Sequence, residues 1–158
     1  PYTGIILSTR EPVKLRNELL HIGVSQMSAG SSTSPGGYLN YGEEAGQFAV
    51  ADHRSLDEVV RCICEAGYLP SFCTACYRRE RTGERFMALA KTGEIKGLCQ
   101  PNALLTFKEN LIDYASAATR QMGERLINKT LLEMDAPARD MLQGKLARIS
   151  QGDRDLYF

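Results

Sequence analysis

Short apolar runs alternate with polar loops over the first fifty residues. Residues 4–7 read G-I-I-L, a continuous apolar run that predicts a strand buried on both faces. A helix with Leu15, Leu19 and Leu20 on one face is predicted next, ending near Gly23, and residues 24–28 predict a second strand. This order indicates a βαβ unit, in which ligands bind at the carboxyl ends of the strands.

The remaining residues, 51–158, have a helical pattern. Ser55 followed by Glu58 predicts a capping box at the start of a helix that ends at Gly67. A helix is also predicted over residues 86–91. We therefore predict two domains, 1–50 with strands and 51–158 mostly α-helical.

The boundaries of the later helices are also predicted. Gly93 and Gly97 are expected to interrupt the helix before Cys99, and Asn102 is expected to cap the long helix that follows. A further segment runs through residues 122–127. A last helix starts at residues 135–137, where Pro137 suits a first turn, and buries four apolar side chains. They are Met141, Leu142, Leu146 and Ile149.

Composition narrows the class of protein. Lys plus Arg equals Asp plus Glu, 19 each, so there is no electrostatic case for nucleic acid or an anionic membrane. No apolar run approaches the roughly 20 residues of a membrane span, and no secretory signal is visible. The odd number of cysteines, 5, favours a reducing, cytoplasmic setting over a disulfide framework. A start at Pro1, inside an apolar run, is expected of a fragment.

Three cysteines form the most informative motif. Cys73 and Cys76 read C-T-A-C, and Cys99 follows after a gap of 22 residues. A CxxC pair places two thiolates on one turn, where both can reach one metal centre. Three thiolates without an obvious fourth ligand favour an iron–sulfur cluster with one open iron over a closed structural zinc site.

Other interpretations of the cysteines stay open. A zinc site could take its fourth ligand from one of four side chains, and the three thiols could also be unrelated. Those four are His21, His53, Cys62 and Cys64. Cys64 lies near the apolar stripe of its helix, which predicts a core residue, and we assign neither it nor Cys62 to the metal. Pro70 and a charged loop flank the CxxC, which disfavours a thioredoxin-type redox pair.

Polar residues follow both predicted strands. Arg10 can bind a carboxylate through two hydrogen bonds, and the Ser8 hydroxyl can add another. The Gly/Ser loop over residues 29–37, with Ser28 just before it and Ser31 within it, can offer backbone N–H groups to a carboxylate or phosphate-like group. Solvated loops are the plainer alternative for both. His53 and His21 are expected to be structural or exposed.

These segments together resemble the HydG family, radical S-adenosylmethionine tyrosine lyases that mature FeFe-hydrogenase. The resemblance is specific around the cysteines and extends upstream. The cysteine part comprises P-S-F-C-T-A-C-Y-R at 70–78, R-T-G at 81–83, F-M at 86–87, Cys99, and P-N-A-L-L-T-F-K-E at 101–109. The upstream part comprises G-I-I-L-S-T-R-E at 4–11, G-V-S-Q at 23–26, S-A-G-S at 28–31, and D-H-R-S-L-D-E at 52–58.

The resemblance implies a fold and an activity. Residues 1–50 would be an α/β barrel fragment, the last βα units of a radical SAM TIM barrel, followed by the mostly α-helical domain. The full enzyme would cleave tyrosine to p-cresol and a fragment that yields carbon monoxide and cyanide. Cys73, Cys76 and Cys99 would hold an auxiliary 4Fe-4S cluster, with an extra iron that collects both ligands.

One departure from the family limits this expectation. The CxxxCxxC motif of the catalytic cluster is absent, so this fragment alone is expected to be inactive. S-adenosylmethionine and a second 4Fe-4S cluster would need the missing N-terminal barrel half, and other hydrogenase maturases would be partners. Ser8, Arg10, Ser28 and Ser31 would contact tyrosine or S-adenosylmethionine. The alternative is a non-catalytic structural module that binds zinc or an iron–sulfur cluster.

Overall fold

A computed structural model describes residues 4–34, 36–38 and 48–158. Parts of the predicted first domain, including Pro35 of the Gly/Ser loop, lie outside the described residues. The chain forms two compact units, Pro1–Ala66 and Gly67–Phe158. The predicted division into domains 1–50 and 51–158 stays a prediction.

The first unit contains a strand–helix–strand arrangement. Strand β1 spans Ile6–Leu7, helix α1 spans Val13–Leu19 and continues as a 3-10 turn over Leu20–Ile22, and strand β2 spans Gln26–Met27. The strands pair in parallel, with Ile6 opposite Gln26 and Leu7 opposite Met27. This is the predicted order, with parallel pairing. Two paired strands do not make a barrel, so the barrel origin of the unit stays a proposal.

Two burial predictions for this unit are wrong. Ile5 and Ile6 are 52% and 67% exposed, whereas Leu7 is 7% exposed. The strand is therefore covered on one side only within the described part of the chain, where β2 is its single paired neighbour. In α1 the buried residue is Arg16, while Leu15 is 39% exposed. Gly23 ends the turn as predicted, in the left-handed region at φ 98°.

Helix α2, Leu56–Glu65, completes the described part of this unit. The Ser55 side chain accepts a hydrogen bond from the Glu58 N–H at 3.3 Å, and the Glu58 carboxylate accepts one from the Ser55 N–H at 2.8 Å. The predicted capping box is therefore confirmed. Val59, Val60 and Cys64 form the buried face of the helix.

The second unit consists of helices. They are α3 (Ala75–Arg78), α4 (Gly83–Thr92), α5 (Lys96–Asp113), α6 (Ala117–Leu132) and α7 (Ala136–Ser150). Helix α5 packs against both α6 and α7. Its side chains Leu104, Leu105, Phe107 and Leu111 are fully buried, as are Leu142 and Ile149 of α7. No helix in the described part of the chain is long and apolar enough to cross a membrane.

Gly123 of α6 lies against side chains of α5. A Cβ atom at this position would lie 2.6 Å from both terminal methyl groups of Leu111 and 2.8 Å from Cζ of Phe107. These separations are far below van der Waals contact. The glycine therefore leaves room for the side chains of Leu111 and Phe107 of α5 against the backbone of α6.

The boundaries of α5 and one side chain of α7 differ from prediction. Asn102 does not cap a helix, because α5 already begins at Lys96 and Asn102 is buried inside it. Gly97 does not break the chain but lies in the first turn of α5. Met141 is 59% exposed and does not join the core. The left-handed Gly93 at the end of α4 and Pro137 in the first turn of α7 match the prediction.

Candidate functional site

Cys73 and Cys76 lie on one tight turn. Cys73 precedes helix α3 and Cys76 lies within it. The Ala75 N–H donates to the Cys73 sulfur at 3.4 Å, and the Arg81 N–H donates to the Cys76 carbonyl at 2.8 Å. The turn that carries the CxxC is therefore closed by the main chain of Arg81.

Cys99 approaches from a different element, the first turns of α5. Partial desolvation raises the pKa of its thiol, nearby Cys76 and Cys73 raise the pKa further, and Arg81 opposes the shift. Cys99 therefore lies within electrostatic range of Cys73, Cys76 and Arg81. The structure thus gathers the predicted thiols in one region of the second unit.

The types of donor at this position suit a thiophilic metal centre. All three thiols are free, and a bound metal would relieve the mutual repulsion of their thiolates. No group of three or more His, Cys, Asp or Glu side chains within the described ranges has the geometry to hold a metal ion. The chemistry of the donors therefore fits, while their role as ligands stays a prediction.

The end of the chain borders the CxxC, which the sequence did not indicate. Arg78 donates to the Asp155 carboxylate at 3.0 Å. The guanidinium groups of Arg78 and Arg79 lie 5.5 and 5.3 Å from the ring centroid of Tyr157. Both distances are within the range of cation–π interaction. Arg78 and Arg79, which follow the CxxC, thus pair with Asp155 and Tyr157 near the C-terminus.

Asn102 and Phe158 join the same region through their polar groups. The Phe158 N–H donates to Oδ1 of Asn102 at 2.8 Å, and Nδ2 of Asn102 donates back to the Phe158 carbonyl at 3.4 Å. Nη2 of Arg81 donates to that carbonyl at 2.9 Å. The side chain predicted to cap a helix therefore binds the main chain of the C-terminal segment.

In the first unit, Ser8 follows β1 and Ser28 follows β2 at the same edge of the parallel pair. The Ser28 N–H donates to the Leu7 carbonyl at 3.0 Å, and the Ser8 hydroxyl accepts from the Arg10 N–H at 3.3 Å. The Arg10 guanidinium lies 4.8 Å from the ring centroid of Phe48. Ser8 and Ser28 are therefore brought together as expected of strand ends.

Ser31 belongs to a separate feature of this unit, a cavity of about 470 Å³. Gly30, Thr33, His53 and Glu58 also line it. Among the lining residues that the structure describes, Ser31 is the one member of the predicted set of four. The cavity is large enough for a small-molecule ligand.

A buried ion network lies behind the strand ends, and it was not predicted from the sequence. Arg16 and Asp52 are both 0% exposed and form an ion pair, and Arg16 also donates to the Ser28 carbonyl. Arg54 donates to Asp52 at 2.6 Å, while the Thr9 carbonyl accepts from the Asp52 N–H at 3.0 Å. Hydrogen bonding to Arg54 is the main reason that the pKa of Asp52 falls to about 2. The network anchors the loops that follow both strands.

The position of Arg16 in the sequence could have revealed this network. Arg16 precedes Leu19 and Leu20 by three and four positions, so it lies on the predicted apolar face of α1. A charged residue on such a face needs a buried partner. The remaining cysteines lie in this unit, where Cys64 is 5% exposed and Cys62 donates to Oδ1 of Asn17 at 3.2 Å. Cys64 is a core residue, as predicted.

The chain is similar to known proteins in sequence and in structure. The family described as "Biotin and Thiamin Synthesis associated domain" matches residues 1–69. No curated protein matches the chain. A crystal structure of HydG, a maturase of the FeFe-hydrogenase, is 54% identical with a TM-score of 0.91 and covers 100% of this chain. The HydG maturase from Carboxydothermus hydrogenoformans is 41% identical with a TM-score of 0.64 and covers 92%.

The resemblance to HydG predicted from the motifs is therefore confirmed over the whole chain. The chain spans about a third of the length of these structures, 34% and 30%. The predicted fold class is confirmed in its coarser form, a mostly helical chain with a small two-stranded sheet that matches part of HydG.

Proposed function

We propose that this chain is the C-terminal part of a HydG-type radical S-adenosylmethionine tyrosine lyase that serves FeFe-hydrogenase maturation. The observation that carries the proposal is the 54% identity to HydG across the entire chain. The placement of all three predicted cysteines in one electrostatic neighbourhood supports it. The full enzyme would make carbon monoxide and cyanide from tyrosine, and other hydrogenase maturases would receive its product.

In this proposal Cys73, Cys76 and Cys99 hold an auxiliary 4Fe-4S cluster. Such a cluster with three thiolate ligands supplies an iron with an open coordination position, where an extra iron and its carbon monoxide and cyanide ligands can be assembled. The chain's own contribution is to present the thiolates. Arg81 favours the thiolate of Cys99, and the closed turn between Cys76 and Arg81 holds the CxxC segment. A reducing cytoplasm would keep these thiols available.

The strand-end residues belong to the second half of the proposal. Ser8, Arg10, Ser28 and Ser31 would bind the tyrosine carboxylate or S-adenosylmethionine. The buried network through Arg16 supports this role, because it fixes the carbonyl of Ser28. S-adenosylmethionine and the catalytic 4Fe-4S cluster would be bound by the missing N-terminal barrel half, which would carry the CxxxCxxC motif.

The test is anaerobic reconstitution with iron and sulfide, followed by EPR spectroscopy of the reduced protein. We expect a 4Fe-4S signal from the parent chain and its loss in a Cys73→Ala, Cys76→Ala double variant. A Cys62→Ala variant is the control. Because Cys62 donates a hydrogen bond to Asn17 and is not a predicted ligand, this variant should leave the signal unchanged.

The opposite result is equally defined. If the parent takes up zinc tightly, without colour or an EPR signal, the site is a structural metal module. The resemblance to HydG would then reflect ancestry and not cluster chemistry. Elemental analysis for iron, sulfide and zinc on the same sample distinguishes the two functions.

A further inference from the structure

We propose that the main chain of Phe158 is a clamp that positions the two cysteine-bearing segments relative to each other. The CxxC turn and the first turns of α5 are far apart in sequence, and Phe158 binds a residue next to each. The inference rests on the proposed function only in taking Cys73, Cys76 and Cys99 as a common ligand set. Phe158 is a positioning residue in this scheme and contacts no metal.

The first half of the clamp is Arg81. Its main-chain N–H closes the CxxC turn on the Cys76 carbonyl at 2.8 Å, and its Nη2 donates to the Phe158 carbonyl at 2.9 Å. The Nε atom of Arg81 is buried and has no hydrogen-bond partner among the described residues. The orientation of this side chain therefore depends strongly on the contact with Phe158.

The second half of the clamp is Asn102. It lies three residues after Cys99 on α5, so both side chains occupy one face of the helix. Asn102 is 2% exposed and exchanges two hydrogen bonds with the main chain of Phe158. A buried amide that loses its partners costs stability, so this pairing fixes Phe158 firmly against α5.

Neighbouring contacts hold the segment in place. Nζ of Lys145 donates to the Tyr157 carbonyl at 3.2 Å and lies 4.6 Å from the ring centroid of Phe158. Arg154 binds the Asp113 carboxylate through two hydrogen bonds of 2.6 and 2.7 Å. The segment is thus anchored on α5 and α7, and the CxxC turn is held to it through Arg81 and Arg78.

Arsenite tests the clamp without any iron chemistry. Arsenous acid condenses with three thiols, forms three As–S bonds and releases three water molecules, with no change in oxidation state. Its affinity therefore reports how well three thiols are pre-positioned. The decisive pair is Phe158→Pro and Phe158→Ala, since both remove the ring but only proline removes the N–H that binds Asn102.

We expect one arsenite per parent chain, with loss of three free thiols. The Phe158→Pro variant should bind arsenite about fivefold more weakly than Phe158→Ala, the effect of one net hydrogen bond. Asn102→Ala should weaken binding at least as much. Thr130→Val is its control, because Thr130 is a buried polar residue of α6 that bonds within its own helix. Its binding should equal that of the parent.

Three results would overturn the clamp. These are equal arsenite affinity of the proline and alanine variants, parent-like affinity of a folded Asn102→Ala variant, and a parent that binds arsenite through fewer than three thiols. Failure of the proposed function looks different. A parent that binds arsenite through three thiols but forms no iron–sulfur cluster would refute the function and leave the clamp to be judged by the variant pair.

Discussion

The two units bury polar groups in opposite ways. In the first unit, Arg16 and Asp52 are fully buried charges beside a sheet whose Ile6 is two-thirds exposed. In the second unit, the buried faces of α5 and α7 are apolar except for the uncharged Asn102, and the ion pair near the cysteines, between Arg78 and Asp155, is 40% and 72% exposed. The first unit is organised around a charge network and the second around a hydrocarbon core.

This difference assigns different roles to similar residues. A buried charge that loses its partner leaves the other charge unpaired in a medium of low dielectric, so the first unit depends on every member of its network. In the second unit the cysteines themselves lie outside the core: Cys73 and Cys76 are half-buried and Cys99 is exposed, although Ala75 between the first two is buried. A segment that has to accommodate a bound group is better placed there.

The largest effect is expected from breaking the charge network. Asp52→Ala leaves the Arg16 guanidinium buried without its carboxylate, which should cost about 3–5 kcal/mol. Glu65→Ala removes an exposed ion pair with Arg61, 4.0 Å long, and should cost less than about 1 kcal/mol. Urea unfolding followed through amide exchange in α2 measures both. Equal costs would show that the buried network does not stabilise the unit.

Acid should act on the same network. The pKa of Asp52 lies near 2 in the folded chain, below its ordinary value of 3.8. A lowered pKa means that the stabilising contribution is fully present above the unfolded pKa and is lost as pH falls toward the folded pKa. The stability of α2 should therefore fall between pH 3.8 and about pH 2. Asp52→Asn should lack this step, and an unchanged step in Asp52→Asn would contradict the assignment.

The helical core should respond next most strongly. Gly123→Ala places a methyl group against Leu111 and Phe107, and overpacking of this kind costs about 1–3 kcal/mol. A Cβ atom at Gly144 of α7 would meet nothing within 4 Å from other parts of the described chain, so Gly144→Ala should stabilise by up to about 1 kcal/mol through helix propensity. Thermal unfolding of the two variants should shift in opposite directions. Shifts in the same direction would refute the close approach of α5 and α6.

Helix positions were largely predictable because local signals determine them. The capping box at Ser55, the left-handed Gly93 and Pro137 each act within one turn of chain. The start of α5 was not predictable in this way. Asn102 has the chemistry of a cap, but a tertiary partner, the main chain of Phe158, uses its amide instead.

In the candidate site, too, the local geometry was predictable and the long-range contacts were not. The spacing of Cys73 and Cys76 carries its own geometry, and the structure places them on one turn. The groups around them, Arg81 and the C-terminal segment, come together only through folding over long sequence separations. No local pattern encodes such contacts. Arg16 lies between these cases, since its place on an apolar face was visible but its partner Asp52 was not.

The helix caps should show a smaller and equal effect in both units. Ser55→Ala and Ser116→Ala each remove a side-chain acceptor for an N–H group in a first turn, at 3.3 Å in both cases. Each should cost about 1 kcal/mol, regardless of what the unit buries. Chemical denaturation of the two variants checks this. A cost near that of Asp52→Ala in the first unit would show that the cap contributes to the charge network.

The smallest expected effect is the reaction of Cys64 with an alkylating reagent. Burial raises the pKa of this thiol to about 12, and the residue is 5% exposed in α2. Because the thiolate is the reactive form, native Cys64 should stay unmodified by iodoacetamide at pH 8 while the exposed Cys99 reacts. Mass spectrometry of tryptic peptides distinguishes the two, and urea-unfolded protein provides the control in which both react. Modification of Cys64 at the rate of Cys99 would mean that α2 opens readily, and the charge network would then be too weak to hold the first unit together.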